Sequence, residues 1–107
     1  MPDDESPVLD TIAAMTAESL SRTGLDPHEL LVVRLAALAA VDARPASYLL
    51  HIGPAIEAGV TIEDVQDVLV ALAPIVGTAR TMSAAINIAE ALGLAIAIAE
   101  EASPDGK

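Results

Sequence analysis

Residues 25–41 read LDPHELLVVRLAALAAV. Asp26 is a residue type that caps helix N-termini, because its carboxylate accepts from the free backbone N–H groups of the first turn. Pro27 suits the first helical position, where a missing N–H costs nothing. Glu29 stands where a capping box places its acid. The run from Leu30 to Val41 follows, interrupted only by Arg34. A helix that is apolar nearly all round has to be covered nearly all round, so this segment predicts a central helix in an all-α domain.

The flanking sequence repeats the pattern. Before it, Val8, Leu9, Ile12, Met15 and Leu20 recur at helical spacing and predict a helix from Val8 to about Ser21, stopped by Thr23-Gly24. After it, Asp42-Ala43-Arg44-Pro45 breaks the periodicity, and a third helix is expected from Pro45 to Ala58. Pro54 within that helix implies a kink or an early end, and Gly59 supplies the stop. Thr61 caps a fourth helix whose first turn carries Glu63 and Asp64, charges favoured by the helix dipole. Its apolar stripe is Val65, Val68, Leu69 and Leu72, and Pro74 with Gly77 bounds its end. Thr78 caps the last long helix, which Gly93 is expected to interrupt, leaving Leu94 to Ala102 as a short continuation. The alternation Leu94-Ala95-Ile96-Ala97-Ile98 imitates a strand, but Ala favours helix and no partner strand is evident. The expectation is a small all-α domain of about five to six helices over residues 8–102. It lies between a flexible acidic arm, 1–7, and a flexible tail, 103–107.

Composition narrows the function. Of 107 residues 53% are hydrophobic and one is aromatic, more small aliphatic surface than a domain of this size readily hides. A homo-oligomer is the expected solution, with an alanine-rich monomer of closely packed helices as the alternative. A net charge of −11, with Arg residues scattered and the single Lys at the end, disfavours nucleic acid and anionic membrane surfaces as partners. The absence of cysteine excludes disulfides, thiolate metal sites and thiol redox chemistry. The longest uncharged stretch, Val68 to Ala79, falls short of the ~20 apolar residues of a membrane span. The leading MPDDESP is not a secretory signal, so a cytoplasmic location is expected.

Few side chains can carry chemistry. His51 follows Ser47-Tyr48-Leu49-Leu50, and on a helix Ser47, Tyr48 and His51 share one face. Histidine moves protons near neutral pH; the alternative is a half-buried ring bonded to a carbonyl. Arg34 and Arg80 each interrupt an apolar segment. Their planar forks suit a substrate carboxylate, or else a structural salt bridge. His28 and Glu29 are explained by the helix start, and Asn87 by contact with a neighbouring helix. No phosphate loop or metal-ligand spacing is present, so no cofactor is expected. Ser47 and His51 resemble a nucleophile and its base only in spacing, with no third group to orient them.

The order of these pieces resembles the carboxymuconolactone decarboxylase-like (AhpD-like) family. The resemblance runs from Leu25 to about Leu92. It is carried by Leu25-Asp26-Pro27, the Arg34–Leu38 helix, and Pro45-Ala46-Ser47-Tyr48-Leu49-Leu50-His51. His51, Ala55 and Gly59 follow at four-residue intervals, then Val60-Thr61, the helix opened by Glu63-Asp64, and Gly77. The resemblance implies an all-α fold assembled as a trimer or hexamer, and a recurrent histidine at His51. Members with a thiol site carry Cys-x-x-Cys at the places of Arg44 and Ser47 here, so thiol peroxidase activity is excluded. Decarboxylase members act without cofactor and carry Tyr-x-Gly-x-Pro where this chain has Ile75-Val76-Gly77-Thr78-Ala79; only Gly77 matches. The resemblance implies a cofactor-independent lyase or isomerase acting on a small carboxylic acid or lactone. In that reading His51 is the acid/base, Tyr48 adds a hydroxyl, and Arg34, Arg80 and Ser47 bind substrate. The competing expectation is a non-catalytic oligomeric helical protein that binds a small ligand or serves as a structural subunit.

Overall fold

A computed structural model describes residues 6–102. The terminal stretches 1–5 and 103–107, read as an arm and a tail, lie outside the described residues. Five helices account for nearly all of the rest: α1 Pro7–Arg22, α2 Pro27–Ala40, α3 Pro45–Glu57, α4 Ile62–Val76 and α5 Thr78–Ala102. Pro7, read as the end of the arm, is taken into the first turn of α1.

The helix starts are set by local chemistry. At α2 the Asp26 carboxylate accepts from the Glu29 N–H at 2.9 Å, and the Glu29 carboxylate accepts from the Asp26 N–H at 3.3 Å. At α4, Thr61 and Asp64 form the same reciprocal pair. Asp64 also bonds the His28 ring at 2.9 Å, so the N-termini of α2 and α4 are joined. The His28 bond first, and the Thr61 backbone bond second, hold the Asp64 carboxyl below the usual carboxylate range.

α2 packs against α3, α4 and α5, and α5 packs against α2, α3 and α4. α2 is thus a central helix, as its apolar run implies, and α5 shares that position. The core is made of Leu30, Leu31, Ala39, Tyr48, Val68, Ala84 and Ala91. α1 buries none of its residues and packs closely on none of the other helices; a hydrogen bond from Arg34 to the Ser19 hydroxyl ties it to α2.

Three expectations are corrected. Pro54 lies inside α3, which runs to Glu57 without the early end its proline allowed; Pro74 lies inside α4 rather than bounding it, and α4 runs on to Val76. Gly77, at φ +91°, turns the chain between α4 and α5, so the stop belongs to the glycine, which alone adopts that conformation without strain. Gly93 does not interrupt α5, which is one helix of 25 residues. A lone glycine weakens a helix by roughly 1 kcal/mol. The packed stripe Ala84, Ile88, Ala91, Leu92 and Ala95 on both sides of it holds the helix together.

By length and composition alone α5 could also cross a membrane. The uncharged-run reading missed this because Arg80 and Glu90 divide the helix. It packs against three helices of the same domain, but only 11% of its most apolar stretch is buried there, so the packing of one chain leaves most of that apolar surface uncovered.

Gly93 is exposed, and a Cβ there would meet nothing within 4 Å. Gly93→Ala is therefore expected to stabilise the fold by about 0.5–1 kcal/mol, read by urea denaturation. A loss of stability would show that this face of α5 is covered closely by something outside the single chain.

Candidate functional site

The site is built on α3. Its first turn follows a loop in which Asp42 takes a left-handed conformation, φ 58°, one that Asp tolerates better than most residues. That loop is fastened to α5 by side chains. The Ser83 hydroxyl donates to the Asp42 carboxylate at 2.6 Å, and the Asn87 amide donates to the Ala43 carbonyl at 3.0 Å. Arg80 donates to the Ala40 carbonyl at the end of α2. A cation on the last carbonyls of a helix satisfies groups that have no intrahelical partner. Asn87 thus makes the helix contact its position suggested, and Arg80 is engaged as a C-terminal cap, where neither a substrate pocket nor a salt bridge holds it.

With α3 fixed in this way, Tyr48 and His51 face inward on one side of it. They border a cavity of about 390 Å³. Its walls include Leu31 and Leu35 of α2, Ile52 of α3, Val65 of α4, and Ile88 and Leu92 of α5. Apart from Tyr48 and His51, only Thr61 brings a side-chain polar group to the lining, and its hydroxyl is occupied by the Asp64 N–H.

His51 is half-buried. Its Nδ1 lies 2.8 Å from the Ser47 carbonyl oxygen. A carbonyl only accepts, so Nδ1 carries the hydrogen, and Nε2 is left to accept or carry a second proton. Ser47 therefore acts on His51 through its backbone; its hydroxyl is not bonded to the ring, and a Ser–His nucleophile pair is absent. The carbonyl-bonded histidine anticipated as the structural alternative is present, and the same ring also lines the cavity.

His51 borders a second, more open groove of about 290 Å³ that Arg34 also lines, with Met15, Ser19 and Leu38. Arg34 donates one N–H to the Ser19 hydroxyl at 3.0 Å. The ion pairs among the described residues are Arg22–Glu18 and His28–Asp64, so no carboxylate neutralises Arg34 there. The structure thus brings His51 together with Tyr48 on one side and with Arg34 on the other. It leaves Arg80 at the α2–α3 loop and Ser47 outside both cavities.

Tyr48 is 3% exposed, and its hydroxyl has no hydrogen-bond partner among the described residues. Burial first, and the Asp42 charge second, push the phenol pKa up and keep the group a donor. Sequence reasoning selected Tyr48 for its shared face with His51. It could not foresee an unpaired buried hydroxyl, which depends on what the other helices fail to supply. His28 was set aside as a capping-turn residue, and its link to Asp64, 36 positions away, had no sequence signal. Among the described residues no three His, Asp or Glu side chains group as a metal site.

The model of the carboxymuconolactone decarboxylase family matches residues 7–91. The chain belongs to that family. The match covers α1 to α4 and the first half of α5, and so takes in the whole cavity wall except Leu92. Comparison with curated proteins and with solved structures returned no match. The carboxymuconolactone decarboxylase fold is thus present here without a single cysteine.

The orphaned hydroxyl makes a direct prediction. Leaving a buried polar group unpaired costs about 1–3 kcal/mol, so its removal has little to lose. Tyr48→Phe is expected to leave stability unchanged or to raise it by up to about 1 kcal/mol, measured by chemical denaturation. A clear loss of stability would mean that the hydroxyl has a partner in the protein in solution.

Proposed function

We propose that this member of the family is a cofactor-independent lyase or isomerase acting on a small carboxylic acid or lactone, with His51 as the acid/base. The observation that carries this reading is the position of one ring. Its Nδ1–H is committed to the Ser47 carbonyl, and the ring borders both an apolar cavity and a groove holding an uncompensated arginine. An imidazole held in one tautomer, at the edge of a water-poor space, is suited to passing a proton through Nε2.

In decarboxylation the bond between the α-carbon and the carboxyl group breaks and CO2 leaves. The electron pair stays on the substrate as an enolate, delocalised onto a neighbouring carbonyl. The Arg34 charge and protonated His51 stabilise that developing anion, and His51 returns a proton to carbon. The Tyr48 hydroxyl, closed off in the free protein, becomes a further donor for the carbonyl oxygen only once its ring shifts toward the ligand. In isomerisation the same ring removes a proton and returns it to another carbon. Arg80, bonded to the end of α2, is assigned no part in either step.

The polar poverty of the cavity favours a second reading. Tyr48, His51 and Thr61 are its only polar lining side chains, and no acid pairs with His51. A non-catalytic protein that holds a small ligand, or that packs its histidine as a subunit of a larger structure, needs no more than this.

Turnover separates the two. A panel of small carboxylates and lactones, followed by NMR in deuterated water, is expected to yield CO2 release or deuterium incorporation with the native protein. His51→Ala is expected to lower the rate by a hundredfold or more, the usual scale of a general acid/base. Absence of turnover and of ligand-induced thermal shift across the panel, with His51→Ala merely less stable, would favour the second reading.

The assembly is part of the proposal. Large apolar side chains stand exposed on every helix, from Val8 at 69% through Val33, Leu50 and Val70 to Ile96. Such surface resembles a core left open, and a trimer or hexamer of this chain is the expected way to close it. Sedimentation equilibrium is expected to give three or six times 10.9 kDa. A monomer at micromolar concentration would overturn this.

A further inference from the structure

The cavity and the groove differ sharply in character, and His51 is the residue that lines both. On one side of its ring lies about 390 Å³ walled by aliphatic side chains from four helices. On the other lies Arg34, with one of its five N–H donors used by Ser19 and no carboxylate beside it among the described residues. A ligand that matches this arrangement is apolar over most of its length and carries one negative charge at one end. A second carboxylate inside the aliphatic cavity would be buried without a cation to meet it.

We propose that the ligand is a monocarboxylic acid with a hydrocarbon body. Its chain fills the cavity between α2, α3, α4 and α5, and its carboxylate lies at the His51 rim within the field of Arg34. This rests on the reading of the His51 site as the ligand site and narrows its substrate class: short, doubly charged acids are excluded and aliphatic or alicyclic acids are selected. Ala55 is the smallest side chain on the α3 wall, so a larger residue there intrudes on the space assigned to the hydrocarbon.

The experiment uses unreactive acids, so that binding is read apart from catalysis. Butanoate, hexanoate, octanoate, octanol and octanedioate are titrated into the full-length protein in its native assembly by calorimetry, with ligand-observed NMR as a second readout. Each buried methylene is expected to tighten binding by about three- to fourfold, so octanoate should bind on the order of a hundredfold more tightly than butanoate. Octanedioate is expected to bind at least tenfold more weakly than octanoate. Arg34→Met is expected to cost octanoate about tenfold while leaving octanol unchanged. Ala55→Phe is expected to abolish the dependence on chain length; where that variant fails to fold, the chain-length series on the native protein decides alone.

Equal affinity for octanoate and octanedioate, or an affinity independent of chain length, would overturn the proposal. So would a protein that binds none of the acids and whose assembly falls apart in Ala55→Phe, since the cavity would then be occupied by a second copy of the chain. Octanoate binding that follows chain length but survives His51→Ala unchanged, in a protein without turnover, would sink the acid/base reading and leave the ligand class standing. Turnover of a short diacid lost in His51→Ala would do the reverse.

Discussion

The packing of this protein depends on alanine. Ala39 on α2 and Ala84 and Ala91 on α5 are wholly buried, and Tyr48, the single aromatic residue of the chain, is the one large ring between the helices. Small side chains let backbones approach closely. They also bury little apolar area each, so the stabilisation has to come from many short contacts. α3 and α4 each pack against α2 and α5 but not against each other, so aliphatic side chains do not close the space between them. The cavity beside Tyr48 and His51 is the space that remains. Interiors are ordinarily filled to crystal-like density, so an opening of this size in so small a domain is a cost that ligand binding can offset.

The chemistry of that space is set by backbone groups as much as by side chains. The left-handed turn at Asp42 sends the chain from α2 into α3, and Ser83, Asn87 and Arg80 of α5 hold that turn by its carboxylate and two carbonyls. The same fastening fixes the rotation of α3, hence the direction of Tyr48 and His51. Ser47, a turn before His51, then selects the tautomer through its carbonyl. Asn87, which does not itself line the cavity, thereby helps hold the loop from which α3 starts.

Much of the fold was legible in the sequence, for reasons that are local. Asp26-Pro27-His28-Glu29 and Thr61 through Asp64 encode their caps in adjacent residues, and both caps are present as read. The failures came where long-range packing decides. Gly93 reads as a break because glycine is a poor helix former, yet the buried stripe of α5 carries the helix through it. Pro74 reads as an end, but a proline near a helix C-terminus interrupts little when the turns before it are packed. At the site, helical spacing was enough to pair Tyr48 with His51. Arg34 and Arg80 looked alike in sequence, each a lone cation in an apolar run. Only the tertiary structure separates them, placing Arg34 beside His51 and Arg80 on the carbonyl of Ala40.

The same division bears on how the site relates to assembly. α1 buries none of its residues within the chain, and its Met15, Thr16 and Ser19 form one wall of the groove that holds Arg34. That wall is only as firm as the surface that covers α1. Val8, Leu9, Ile12 and Leu20 point away from the rest of the chain, and their burial against another subunit would press α1 onto α2 and bring the groove to a defined shape. The cavity side of His51 needs no such help, since its walls come from the four helices that already pack together. The two halves of the proposed ligand site thus have different dependence on association. The walls of the hydrocarbon half come from one chain, while the charge-binding half would gain a defined shape if a second copy of the chain covered α1.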